Sequence, residues 1–387
     1  MMMQLIETNP DLENLCARLQ DEPFVCVDLE FLRERTYFAQ LCLIQIASPE
    51  VAAVIDPLAE GLNLVPFFAL MHNPDITKVF HSGRQDIELI FQLSGEVPTP
   101  LFDSQIAASA LGFGEAISYE NLVKSMLDIN LDKTSRLSDW SRRPLSADQL
   151  DYALGDVTYL CRIYPKLLAK LQQLGRTNWI EEELAALGAP ALYQIAPDNV
   201  WQKMRHRSHN AKFLTLLREL AAWREKRAIA KNVPRQSFIK DDLLLNICTA
   251  CPCTKDALTA VRGMRADLAK GKLGDEIIEV VQNFKALPKS AYVTIDDEDK
   301  NLNYDAALLE VLKMVLRICA SKHNITPKLL ASEDELKHFC AQGLTDEVRF
   351  MSGWRYEIFG ALVQKICSRH TAIAYNPNNH SIELIDC

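Results

Sequence analysis

The hydrophobic pattern divides the chain into two unlike halves. Over the first 170 residues, short apolar runs rich in β-branched and aromatic residues read as strands: Phe24 to Phe31, Leu41 to Ala47, Ala52 to Ile55 and Lys78 to Phe80. Stretches with helical spacing (Ile87 to Leu93, Asp103 to Leu111, Tyr119 to Leu127 and Ala147 to Lys170) read as helices. The early strands follow one another without long helices between them. This predicts antiparallel strands first and a parallel addition later: an α/β domain with a mixed sheet covered by helices. After about Gly175 the strand signals fade. A helical segment holding Glu181-Glu-Glu183 then leads through Pro190 and Pro197 into a C-terminal half expected to be all-α.

That half contains a repeat. Asn232-Val-Pro-Arg-Gln-Ser-Phe238 aligns with Asn324-Ile-Thr-Pro-Lys-Leu-Leu330, and Leu216 to Leu220 with Leu308 to Leu312, both at an offset of 92. Arg262-Gly-Met-Arg265 and Ser352-Gly-Trp-Arg355 continue the match at an offset of 90. Two copies of one helical module follow. Between them Pro288 to Asn303, with the acid cluster Asp296-Asp-Glu-Asp299, reads as a linker.

Charge inside the apolar segments changes the picture. Asp28 and Glu30 interrupt the first long strand at positions i and i+2, so their carboxylates leave one face about 7 Å apart along the chain. Tyr152 and Asp156 are four apart on a helix that Ser146 can cap, and share a face one turn apart. Asp86 sits in His81-Ser-Gly-Arg-Gln-Asp86, at the start of another helix. Each motif alone has an ordinary alternative: solvated acids at a strand end, core packing beside a surface charge, or an acid complementing a helix dipole. Together, in order and inside apolar segments, they imply a shared site, because carboxylates buried side by side are costly unless cations neutralise them. Oxygen donors select Mg²⁺ or Mn²⁺, and two such ions serve in-line phosphodiester hydrolysis.

These residues resemble the three motifs of the DEDD superfamily of 3′-to-5′ exonucleases, in the subclass whose third motif carries tyrosine, and within it the ribonuclease D family. Leu41-Cys-Leu-Ile-Gln-Ile46, Leu137-Ser-Asp-Trp140 and Arg143-Pro-Leu-Ser146 extend the likeness. The resemblance implies a ribonuclease-H-like exonuclease domain over 1–175, a helical connector over 176–204 and two HRDC domains over 205–288 and 304–387, separated by the acidic linker 289–303. It further implies 3′-to-5′ exoribonuclease activity that releases nucleoside 5′-monophosphates, on RNA with a free 3′ end such as transfer-RNA precursors. Asp28, Glu30 and Asp156 would hold one metal ion, and Asp28 with Asp86 a second. Tyr152 would orient the attacking water. His81 and Gln85, near Asp86 in sequence, are candidates for contact with the terminal nucleotide, the competing reading for His81 being a hydrogen-bonded structural histidine. A DNA exonuclease of the same superfamily, and an RNA-binding scaffold with an inactive nuclease domain, are the competing readings.

Composition bounds the remainder. At 387 residues, 48% hydrophobic and 24% charged, the chain is an ordinary globular protein with room for two or three domains. No stretch approaches about 18 consecutive apolar residues and the first residues lack signal-peptide character, so a cytoplasmic protein, free of membrane and monomeric, is expected. Eleven cysteines fit reduced buried thiols. Only Cys248, Cys251 and Cys253 are close enough to raise a zinc site, for which no second ligand pair follows. The net charge of −9 is unevenly spread: residues 201–240 hold eleven basic and two acidic residues, and the remainder sums to −18. With Trp201, Phe213, Trp223 and Phe238 interleaved, this window is expected to contact phosphates through Lys226, Arg227 and Arg235, the competing reading being a solvated helix face.

Overall fold

A computed structural model of the chain describes residues 4–131, 138–206, 208, 210–293, 303–343, 348–378 and 380–386. The acid cluster at 296–299 and Leu137 lie outside the described residues. In the N-terminal part, β1 (Gln4–Ile6) and α1 (Asn9–Leu19) precede β2 (Phe24–Leu32), β3 (Gln40–Ala47), β4 (Ala52–Ile55), α2 (Val65–His72) and β5 (Thr77–Phe80). Next come α3 (Arg84–Ser94), β6 (Leu101–Asp103), α4 (Ser104–Ala110), α5 (Tyr119–Leu127) and the long α6 (Ala147–Gln173). The sheet order is β1-β4-β3-β2-β5-β6. β3 pairs antiparallel with β4, whereas β2, β5 and β6 run parallel, with Cys26 opposite Val79 and Phe80 opposite Asp103. This is the expected mixed sheet. The short outer strands β1 and β6, three residues each, carry too few residues to show a period.

The C-terminal half holds α7 (Glu181–Leu187), α8 (Ala211–Lys231), α9 (Arg235–Phe238), α10 (Asp241–Ala250), α11 (Lys255–Thr259), α12 (Ala266–Lys270) and α13 (Lys272–Ala286). It continues with α14 (Ala306–His323), α15 (Pro327–Leu330), α16 (Glu333–Gln342), α17 (Gly353–Arg355) and α18 (Ala361–Cys367). The repeat is visible in three dimensions. α9 and α15, and α10 and α16, begin and end 92 residues apart. The helices before them end on left-handed asparagines, Asn232 at φ 48° and Asn324 at φ 49°. Asparagine is among the few residues that adopt this conformation readily. The second segment departs from the all-α expectation at its end, where β7 (Thr371–Asn376) and β8 (Ser381–Asp386) form an antiparallel hairpin. The alternation of Ile373, Tyr375, Ile382 and Leu384 is its period-2 signal, on a stretch too short and too polar at its turn to outweigh the helical context.

The chain divides into two compact units. One comprises Met1–Leu29, Leu43–Leu192 and Glu298–Cys387, the other Glu30–Cys42 and Tyr193–Asp297. In the first, α4 and α6 bury Ala107, Val157, Leu160 and Leu167 in one continuous core with Leu312, Leu316, Phe339 and Phe359 from the C-terminal segment. That segment is therefore part of the same hydrophobic core as the sheet's helical cover. In the second, Leu217, Leu220, Ile247, Ile277 and Phe284 form a separate core. The arm between β2 and β3 belongs to this unit: the amides of Tyr37 and Phe38 both donate to Asn232 Oδ1 at 3.1 Å, and the Tyr37 hydroxyl donates to the buried Glu225.

Candidate active site

β2 is buried at Phe24 to Val27 and opens at Asp28 and Glu30, which are half-buried and share a strand face. α6 starts on a capping box in which the Ser146 hydroxyl accepts from the Gln149 amide and the Gln149 side chain accepts from the Ser146 amide. The box fixes the entry of the helix, so Tyr152 and Asp156 come to one face a turn apart. Carboxylate oxygens of Asp28, Glu30 and Asp156 lie within 4.8 Å of one another. Asp86 enters on the first turn of α3, only 8% exposed, close enough to Asp28 for the two charges to repel. It takes a hydrogen bond from the backbone of Leu29, between the two acids of β2. Four acids from three elements thus converge.

Electrostatics describe the same site. Burial pushes Asp28 up to about 7, against the pull of the Leu29 amide. Burial, reinforced by the neighbouring Asp28 charge, holds Asp86 well above the usual carboxylate range. Such groups ionise only with compensation nearby. An all-oxygen, anionic donor set of this kind fits a hard divalent cation.

Three features near the site were given no role from the sequence. Tyr119, the first residue of α5, donates to the Gly155 carbonyl at 2.9 Å, and burial together with the Asp156 and Asp28 charges keeps its phenol well above its ordinary pKa. A tyrosine directly after the N-cap Ser118 was the available signal. Trp140 is buried with its ring centroid 6.2 Å from that of Tyr152. Its loop is tied down by Arg143, whose Nε and Nη2 donate to the two oxygens of buried Asp56 at 2.5 and 2.6 Å. Asp103 and Ser104, a capping pair in sequence, reach back to the turn before Asp86.

The other candidates fall in different places. Both His81 nitrogens are engaged in the fold, Nδ1 with Ser104 Oγ at 2.9 Å and Nε2 with the Ile117 carbonyl at 3.1 Å, and burial lowers its pKa. Gln85 is exposed. In the basic window Lys226 is 64% exposed, with Asp198 as far as 3.9 Å, whereas Arg227 pairs with Glu276 at 2.7 Å and Arg235 with buried Glu225 at 3.1 Å. The two arginines are thus placed first for internal ion pairs. Cys248, Cys251 and Cys253 do not gather into a metal-sized cluster among the described residues. Cys253 instead receives the Lys285 ammonium at 2.7 Å.

Comparison with known proteins agrees with this arrangement. A family model for a 3′-5′ exonuclease matches residues 3–172, and one for an HRDC domain matches residues 213–281. The ribonuclease D of Jannaschia sp. is 43% identical over 377 residues, covering 96% of this chain and 97% of that protein. The ribonuclease D of Gluconacetobacter diazotrophicus is 41% identical over 356 residues, covering 92% and 90%. The crystal structure of Escherichia coli RNase D, an exoribonuclease involved in structured RNA processing, matches with a TM-score of 0.79 at 26% identity over 96% of this chain and 100% of that one. With the exonuclease and HRDC regions in order and relatives above 40% identity spanning the chain almost end to end, the chain belongs to the ribonuclease D family of 3′-to-5′ exoribonucleases.

Proposed function

We propose that the protein removes single nucleotides from RNA 3′ ends as nucleoside 5′-monophosphates, with two divalent ions, Mg²⁺ or Mn²⁺, and that transfer-RNA precursors are among its substrates. The observation that carries this reading is the convergence of Asp28, Glu30 and Asp156 within 4.8 Å, with Asp86 alongside Asp28. Asp28, Glu30 and Asp156 would hold one ion, and Asp28 with Asp86 the other. When bound, two such ions lower the pKa of water and stabilise both the attacking and the leaving oxygen of an in-line displacement.

The chain's own groups do the positioning. Tyr152, one turn before Asp156, directs its hydroxyl to the attacking water; as a phenol it is too weak an acid to serve as the base near neutral pH. Trp140 packs beside Tyr152 and narrows the water's freedom there. The 3′-terminal phosphodiester is drawn to the acids only through the cations, so without divalent ion the site repels its substrate.

The HRDC domain, and Lys226 in particular, supplies sequence-independent phosphate contact. The segment 304–387 is read as a second module of the same type, from its element order, and acts mainly by packing against the exonuclease domain. The protein acts as a monomer in the cytoplasm. Thin-layer analysis of the product from RNA labelled within its last nucleotide tests the proposal. Nucleoside 5′-monophosphate is expected, and a nucleoside 3′-phosphate would overturn it.

A further inference from the structure

Asp103 ends β6 and caps α4, and its carboxylate, 2% exposed, accepts four backbone N–H groups. Two come from its own helix, Gln105 at 2.8 Å and Ile106 at 3.3 Å. These are what a helix cap requires. The other two come from the turn between β5 and α3: Ser82 donates to Oδ1 at 3.2 Å and Gly83 to Oδ2 at 2.8 Å. The cap does not call for this second pair.

The turn needs holding. Ser82 has φ 57°, a conformation that costs a non-glycine residue about 1 kcal/mol or more and persists only where surroundings enforce it. Gly83 has no room for a side chain, since a Cβ there would lie 2.4 Å from that of Phe80. α3 begins immediately afterwards without a side-chain cap of its own, and Asp86 is on its first turn. The neighbouring Ser104 hydroxyl fixes His81, just ahead of the turn. The start of α4 therefore grips the segment that launches Asp86, and sets a second negative charge behind it.

We propose that Asp103 is a positioning residue for the metal site, aiming Asp86 at Asp28 by holding the Ser82-Gly83 turn and adding its charge to the cation's surroundings. This rests on the reading of Asp86 as a metal ligand. Misplacement of a reacting group by about 1 Å can cost roughly 100-fold in rate.

The test uses full-length Asp103→Ser, which keeps a helix-capping oxygen for Gln105 and Ile106 but is too short to reach Gly83, beside Asp103→Asn, which turns an amino group onto an N–H. Hydrolysis of a short oligonucleotide is followed over a Mg²⁺ series, with circular dichroism and melting as fold checks. A fall in kcat of about 10-fold or more and a several-fold rise in the Mg²⁺ concentration for half-activity are expected, with KM for the oligonucleotide unchanged. A folded variant with wild-type kcat and Mg²⁺ dependence overturns the inference, and so does a variant that only melts earlier. Should both fail to fold, Ser104→Ala, which removes one of the two hydrogen bonds that hold His81 without uncapping a helix, must show the same defect in weaker form. Asp86→Asn in parallel separates the two claims. If it stays active the metal-ligand reading itself fails; if it is inactive and Asp103→Ser is normal, only the role of Asp103 fails.

Discussion

Trp179 and Trp354 lie face to face, with ring centroids 4.4 Å apart and planes 8° from parallel. The Arg176 guanidinium lies 4.7 Å from the centroid of Trp179 and that of Arg355 4.6 Å from the centroid of Trp354. The arginines extend the join. Arg176 donates to the carbonyls of Ala110 and His323, while buried Arg355 donates to Leu329 and to the carboxylates of Glu182 and Glu183. Glu182 and Glu183, part of a plain charge run in the sequence, are thus the receptor for a buried arginine.

Trp354→Ala should therefore destabilise the protein by about 3–5 kcal/mol, as for other buried Trp truncations. Removal of everything after residue 303 should cost more, because it uncovers Leu160, Leu167 and the other α6 residues that share the core with α14. Urea unfolding checks both. A truncated protein as stable as the whole chain would show the C-terminal segment to be an independent appendage.

Metal should stabilise the protein increasingly as pH rises. Burial raises Asp28 to about 7 in the folded protein, above its ordinary value of 3.8, so proton binding favours the folded state. That contribution is present at low pH and is lost as pH rises through about 7, where the unrelieved charge weighs on the metal-free fold. The melting shift on adding Mg²⁺ should accordingly be small near pH 5.5 and larger at pH 8. An equal shift at both would contradict the assignment.

A second pH effect has the opposite sign. Burial alone would raise Glu335, but the Arg349 guanidinium and the Ser332 amide outweigh it and hold the carboxyl down to about 2, from an ordinary 4.5. Its contribution is complete above about 4.5 and disappears as pH falls through about 2. The stability gap between the wild-type protein and Glu335→Gln, read from urea midpoints, should be widest near neutrality and narrow steadily below pH 4.5.

Within the basic window, Lys226→Gln should weaken binding of structured RNA uniformly across sequences and flatten the salt dependence by about 0.7 to 0.9 in slope. Arg235→Gln should act on the fold instead, because it leaves Glu225, 1% exposed at its side chain, with less compensation. Affinity over a salt series and melting of both variants distinguish these outcomes. Identical slopes for Lys226→Gln and wild type would mean a solvated lysine.

Much of this was legible in the sequence, for physical reasons. The mixed sheet and the helical repeat follow from apolar periodicity, and a shared site for Asp28, Glu30, Asp86 and Asp156 was implied by charge placed where it is costly together with the family resemblance. What escaped was long-range partnership. Nothing in a one-dimensional pattern tells that Asp103 would grip a turn 20 residues earlier, that Asp56 would meet Arg143, or that Arg227 and Arg235 would be engaged by Glu276 and Glu225. The β7–β8 hairpin was missed because two six-residue strands after a long helical run give a weak local signal.

The central claim is that the converging acids hold the ions that drive 3′-to-5′ hydrolysis. The most direct measurement follows 5′-labelled single-stranded RNA, and DNA of the same sequence, with wild-type protein and Asp156→Asn, in Mg²⁺ and in chelator. Wild type in Mg²⁺ should give a ladder of RNA shortened one nucleotide at a time from the 3′ end, the DNA should be the poorer substrate, and chelator or Asp156→Asn should leave the RNA intact, with circular dichroism preserved in both and RNA binding preserved in Asp156→Asn with Mg²⁺ present. Stepwise degradation by folded Asp156→Asn, or by wild type in chelator, would contradict the account.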